Sequence, residues 1–245
     1  MTFMAGRMIL LIPFTLLWIF LSGHLGSIIL PSPLEVLRVF KDEIITFSGL
    51  LQILKTLERF FIAYSFSVIT GILTGMAAFR WKTLRSILWP VILSLQATPV
   101  ISWILLALLW FSSGYIPFFI LWVFILPIIA INMYEGLSQT DKKLLEMARV
   151  YRFSERNTFF KIYLPSSLPF LRAGMKISAN SSLKVLVTAE IIGRLSSGIG
   201  STMNSAWLNI DTASLLGWTI FLVVITHLLE SCISLGITKI FRRYL

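Results

Sequence analysis

Residues 86–134 read SILWPVILSLQATPVISWILLALLWFSSGYIPFFILWVFILPIIAINMY, 49 residues without one Asp, Glu, Lys or Arg. About 20 residues at roughly 1.5 Å each cross a 30 Å hydrocarbon core. The run is therefore too long for one spanning helix and right for two. Ser112-Ser113-Gly114-Tyr115-Ile116-Pro117 divides it, because Gly and Pro punctuate helices. Inside a bilayer the backbone must satisfy its own hydrogen bonds, so both halves are expected to be helical.

The rest of the chain agrees with a membrane solvent. Of the 245 residues, 57% are hydrophobic and 13% charged, against roughly 25% charged in a soluble domain. The mean hydropathy is +0.87. So little polar surface cannot cover that much apolar side chain in water, which argues against soluble enzymes and nucleic-acid binders. Six spans are predicted, at about 8–27, 57–79, 87–110, 117–134, 173–193 and 213–238, giving an all-α polytopic protein. Ser22-Gly23 imitates a signal cleavage site, but the first apolar stretch is long enough to span and is read as retained. Cys232 is the single cysteine and the histidines are His24 and His227, so a Cys/His metal site is not expected.

The net charge of +10 is read as topology rather than as a nucleic-acid footprint, since Lys and Arg accumulate in cytoplasmic loops. With the amino terminus inside, 14 of the 21 basic residues fall on the inner side: Arg7, Arg80, Lys82, Arg85, Lys142, Lys143, Arg149, Arg152, Arg156, Lys161, Arg172, Lys239, Arg242 and Arg243. Arg38, Lys41, Lys55, Arg59 and Arg194 fall outside or at the outer edge, and Lys176 and Lys184 fall within a predicted span. Both termini are expected in the cytoplasm.

Two connections are long. Residues 31–50 open with Pro31-Ser32-Pro33 and place Leu34, Val36, Leu37, Phe40 and Ile44 at helical spacing, which predicts a short amphipathic helix at the interface. Residues 135–172 form the largest polar stretch. There Leu144, Leu145, Ala148 and Tyr151 make one apolar face of a short helix. Ser154 is placed to cap a second helix, which Pro165 is expected to stop. Two short helices and a bend would make a knuckle suited to a groove on a soluble partner.

Glu146-Met147-Ala148, Arg152 and Ile162-Tyr163-Leu164-Pro165 resemble the cytoplasmic "EAA" loop of ABC importer permeases, with the family's 16-residue spacing from Glu146 to Ile162. Met147 replaces an Ala, and Arg152 stands where the pattern has Gly. A left-handed bend at Arg152 would cost about 1 kcal/mol, so either a regular bend or a turn displaced to Phe153-Ser154 is expected. Further marks resemble the nitrate, taurine and aliphatic-sulfonate branch, which also includes importers of a thiamine precursor and of riboflavin. They are Pro31-Ser32-Pro33, Thr56-Leu57-Glu58-Arg59 with Gly71 and Gly75, Ala97-Thr98-Pro99, Trp110-Phe111 with Gly114, Ala189-Glu190, and Gly198-Ile199-Gly200.

The resemblance implies one permease domain over 1–245 with a type I ABC importer core like that of methionine importers, in a bacterial cytoplasmic (inner) membrane. It implies a second permease copy, most simply a homodimer. It also implies two ATP-binding subunits that hold ATP and Mg, and an extracytoplasmic substrate-binding protein. No cofactor is expected on this chain, whose sequence has no Gly-x-x-x-x-Gly-Lys-Ser/Thr motif. Coupling to the ATPase would rest on Leu144, Leu145, Glu146, Met147, Ala148, Tyr151, Arg152, Ile162, Leu164 and Pro165.

Polar residues within the spans are the candidates for a solute pathway: Gln96, Thr98, Asn132, Asn180, Ser182, Thr188 and Glu190. Ser94 and Ser181 are read as helix-packing residues. A carboxylate in a span is costly and is usually paired or functional, and Lys184 and Arg194 are the sequence-predicted partners of Glu190. A vitamin-importer scaffold subunit and an integral-membrane enzyme are the competing readings. The first lacks its Ala-Arg-Gly marks here, and the second has only Glu190 and Glu230 to support it.

Overall fold

The computed structural model describes residues 2–241 in backbone, with side chains at 13 and over 15–236. Arg7, Lys239, Arg242 and Arg243 of the basic-residue count, and the placement of both termini, lie outside the described residues and side chains. Among the described residues the secondary structure is entirely helical. The chain packs as two compact units: Met1–Leu57 with Arg194–Val224, and Glu58–Gly193 with Ile225–Leu245.

The first unit contains α1 (Thr2–Leu25), α2 (Pro33–Val39), a π turn (Phe40–Ile44), the start of α3 (Phe47–Arg80), α10 (Ile199–Leu208) and the first turns of α11 (Thr212–Phe241). The outer segment begins as its residues dictate. The Ser32 hydroxyl accepts from the Glu35 N–H at 3.3 Å, the Ser32 N–H donates to Glu35 Oε2 at 2.7 Å, and Pro33 takes the first helical position. This reciprocal cap satisfies two orphan donors. The predicted apolar face divides: Val36 and Ile44, joined by Val39, are buried, whereas Leu34 and Leu37 are exposed. The Glu43 carboxylate accepts from Trp218 Nε1 at 3.1 Å and from the Ser214 hydroxyl, which ties the π turn to α11.

The second unit contains most of α3, then α4 (Lys82–Ala97), α5 (Val100–Trp110), a 3₁₀ turn (Ser113–Tyr115), α6 (Ile116–Ser138), α7 (Lys142–Val150), α8 (Glu155–Thr158), a π turn (Phe159–Tyr163) and α9 (Leu164–Ile192). α6 is apolar all round and is the centre of this unit, with Leu121, Ile125, Ile129, Met133 and Leu137 fully buried; such a helix belongs inside a bundle. It packs closely on α9. A Cβ on Gly136 would stand 2.8 Å from Ser167 Cα, and one on Gly174 3.0 Å from Asn132 Cβ. Small residues let membrane helices approach in this way, since no hydrophobic force separates protein from lipid.

Among the described residues, α3, Ser113–Ser138 and Thr212–Gly236 are long and apolar enough to span; of the other predicted spans, 8–27 is described in full only as the shorter apolar stretch Thr15–Leu25, and 173–193, diluted by Lys176, Lys184 and Glu190, does not reach that hydropathy. α3 begins at Phe47, about three turns before the predicted start of that span. The predicted span 87–110 is not straight: α4 and α5 meet at 104°. Pro99 has no N–H to continue the ladder and forces Thr98 out of the helical region, to φ −79 and ψ 131. α5 alone has 11 residues, about 16 Å, too short to cross. Pro165 departs from expectation in the opposite sense. It does not stop a helix, because backbone from Glu155 to Ile192 stays helical through the π turn. That widened turn includes Lys161, whose carbonyl Pro165 has no N–H to serve.

Candidate functional site

α7 is started by Asp141, whose Oδ1 accepts from the Lys143 N–H at 2.8 Å. At its other end the Arg152 N–H donates to Arg149 O at 3.0 Å and the Phe153 N–H to Ala148 O at 2.9 Å, while Arg152 takes φ 52. That pair of bonds is a Schellman ending, with Arg152 at the left-handed position that favours Gly. The bend is therefore neither regular nor displaced to Phe153-Ser154: the two closing bonds hold it at Arg152 in spite of the side chain. Ser154 then caps α8, its hydroxyl accepting from the Asn157 N–H at 3.3 Å. Arg152→Gly is expected to keep the turn and raise stability by about 1 kcal/mol, read as a higher thermal unfolding midpoint in detergent.

The predicted apolar face of α7 divides by exposure. Ala148 is buried and Leu145 half-buried, as are Leu164 and Pro165, while Ile162 is buried; these hold the knuckle to the second unit. Leu144, Met147, Val150 and Tyr151 are exposed, Val150 at 78% and Tyr151 at 71%. Leu144, Met147 and Val150 follow at three-residue steps, with Tyr151 four after Met147, and form an apolar stripe beside the exposed charges of Lys143, Glu146 and Arg149. Val150 escaped the sequence reading, although its spacing from Leu144 and Met147 was the available signal. Next to Arg149 a cavity of about 870 Å³ is lined by Phe79, Arg80, Arg149, Phe153, Arg156 and Tyr163, among others.

The polar residues of the spans fall into distinct settings. Exposed Gln96 and half-buried Thr98 line a cavity of about 150 Å³ at the α4–α5 bend, with Trp103 and Phe124. The Thr98 hydroxyl donates to Ser94 O at 2.8 Å, and Trp103 Nε1 is buried without a hydrogen-bond partner. Asn132 donates from Nδ2 to Ile128 O at 2.8 Å and packs on Gly174. Ser182 is buried, its hydroxyl donating to Ser178 O. Asn180 and Thr188 are exposed on α9, Thr188 donating to Lys184 O at 2.8 Å.

Glu190 is fully buried, and its partner is neither Lys184 nor Arg194. Arg59 of α3, 131 residues away in sequence, donates from Nη1 to Glu190 Oε1 at 2.8 Å. The sequence marks Thr-Leu-x-Arg and Ala-Glu thus meet as an ion pair. In the first unit, Gln52 Oε1 accepts from the Gly198 N–H at 2.7 Å and Thr56 Oγ1 from the Ile199 N–H at 2.8 Å. Gly198 has φ 112, a conformation that only glycine adopts without strain. Gln52 was not singled out by the sequence reading, because its partner is a backbone group with no residue signature.

The fold and these marks agree with what comparison finds. The chain is 31% identical over 198 residues to the nitrate import permease protein NrtB of Synechococcus elongatus, covering 76% of this chain and 71% of that protein. It is 28% identical over 217 residues to the putative aliphatic sulfonates transport permease protein SsuC of Bacillus subtilis, covering 87% and 77%. It is 30% identical over 200 residues to the bicarbonate transport system permease protein CmpB of Synechocystis, covering 76% and 71%. The inward-facing MetNI methionine ABC transporter has the same fold, with a TM-score of 0.60 at 18% identity over 79% of this chain and 94% of that one. Residues 67–244 match the binding-protein-dependent transport system inner membrane component family. With the family matched over most of the chain and the fold shared, the chain belongs to this family of ABC importer permeases.

Proposed function

We propose that this permease imports a small anion by alternating access, driven by ATP bound with Mg on a separate subunit. The carrying observation is the apolar stripe Leu144–Met147–Val150, exposed on an otherwise charged knuckle. An exposed apolar strip bordered by charge suits a docking element. Closure of two ATP-binding subunits would bring two such knuckles together, in a pair of permease copies most simply taken as identical. Helices α3 to α6 and α9 would then open towards an extracytoplasmic binding protein, and ATP hydrolysis would reverse the motion. This chain has no catalytic residue in the scheme.

An anion is favoured over a riboflavin-type or thiamine-precursor solute because nitrate, sulfonate and bicarbonate are the solutes named for the relatives. Gln96 and Thr98, beside the bend, supply the kind of neutral polar lining found where broken helices carry solute. Proteoliposomes containing the assembled transporter and its binding protein test the reading. ATP-dependent uptake of labelled nitrate, bicarbonate or methanesulfonate is expected, and riboflavin should not compete. Uptake of riboflavin alone would overturn the anion assignment.

A further inference from the structure

α9 presents one side that no described part of the chain covers, and along it, beside exposed Ala173 and Ile177, runs a row of polar residues. Lys176, Asn180, Lys184 and Thr188 follow at four-residue steps, so they lie along one side of the helix, and all four are exposed. The opposite side holds Ser178, Ser182, Leu186 and Ala189, all buried, and Leu183 and Val187, which border the row, are buried as well. Among the described residues neither lysine has an ion-pair partner, and the Asn180 side chain makes no hydrogen bond. The two ammonium groups are carried by Cα atoms about 12 Å apart along the axis.

Such a stripe does not face lipid. Within the span 173–193 read from the sequence, Lys184 lies about 14 Å from one end and about 17 Å from the other, beyond the reach of a side chain snorkelling to either surface. Ionisable residues at such depth face water or protein. A bare seam with a second copy would set like charges against each other unless water and anions lay between. We infer that the stripe lines a water-filled passage in which Lys176 and Lys184 gather small anions, with Asn180 and Thr188 between and beyond them as neutral hydrogen-bonding steps. This rests on the importer reading above and adds what sets the sign of the solute. Fixed cations in a low-dielectric channel raise the local anion concentration, and neutral groups between them keep the anion from being held too tightly to leave.

The test uses the assembled transporter in membranes, with Cys232→Ser to remove the exposed native thiol and Asn180→Cys as the probe. An anionic thiosulfonate reagent is expected to modify position 180 about tenfold faster than its cationic analogue. Lys184→Gln should bring the two rates close together. Leu183→Cys, on the buried side, should react with neither. Thr188→Cys provides the same reading if Asn180→Cys does not assemble. An unreactive position 180 and 188, or a rate ratio unmoved by Lys184→Gln, overturns the inference. If ATP-driven uptake persists in that case, the importer reading stands without it.

Discussion

Arg59→Met is expected to cost about 3–5 kcal/mol of stability, because it strands the Glu190 carboxylate, fully buried on α9, without its guanidinium. Glu190→Gln should cost less: Arg59 keeps 19% of its side-chain surface exposed and can be partly rehydrated. The double change Arg59→Met with Glu190→Leu should recover part of the loss, since two apolar groups of similar volume replace a pair that was costly to desolvate. Thermal unfolding in detergent, run as a double-mutant cycle, checks all three. Equal and additive losses would mean that the pair contributes no coupling and that the two motifs act independently.

The second large effect concerns function rather than stability. Met147→Asp combined with Val150→Asp is expected to reduce ATP-dependent uptake at least about tenfold, because it places two charges in a contact that must be desolvated. Both side chains are exposed in the free chain, Met147 at 39% and Val150 at 78%, so the unfolding midpoint should barely move; surface substitutions stay within about 0.5 kcal/mol. Uptake and unfolding measured on the same preparation separate the two effects. A variant that still transports would remove the stripe from the coupling surface.

The sequence was informative where one helix or one turn decides the outcome. The 49-residue uncharged run 86–134 announced apolar helices on either side of the 112–117 break, and Ser32-Pro33 with Glu35 announced a helix start, because these features act within a few residues. It was less informative where the chain had two local solutions. Pro99 and Pro165 are both helix breakers by sequence; one produces the 104° bend and the other is absorbed by a π turn, and the neighbours that decide this are tertiary. Arg152 shows the same limit: a steric preference worth about 1 kcal/mol yields to two closing hydrogen bonds.

Partners distant in sequence were the least legible. Local spacing offered Lys184 and Arg194 to Glu190, yet Arg59 holds it from another helix. For α7, periodicity identified apolar positions but not which of them are covered, so Leu145 and Ala148 separate from Leu144, Met147 and Val150 only once α7 is seen against its unit. Lys176 and Lys184 read as irregularities in a weak span. Their shared face with Asn180 and Thr188 acquires meaning from the burial of the opposite side.

The central claim is that this permease passes the work of a separate ATPase through the 144–165 knuckle. The most direct measurement is to tag the chain, extract it gently from its native membrane, and identify by mass spectrometry what accompanies it. An ATP-binding subunit should be recovered with the native chain and lost with Met147→Asp/Val150→Asp. Recovery unchanged by those substitutions, or no ATPase under conditions that keep a known importer intact, would contradict the account.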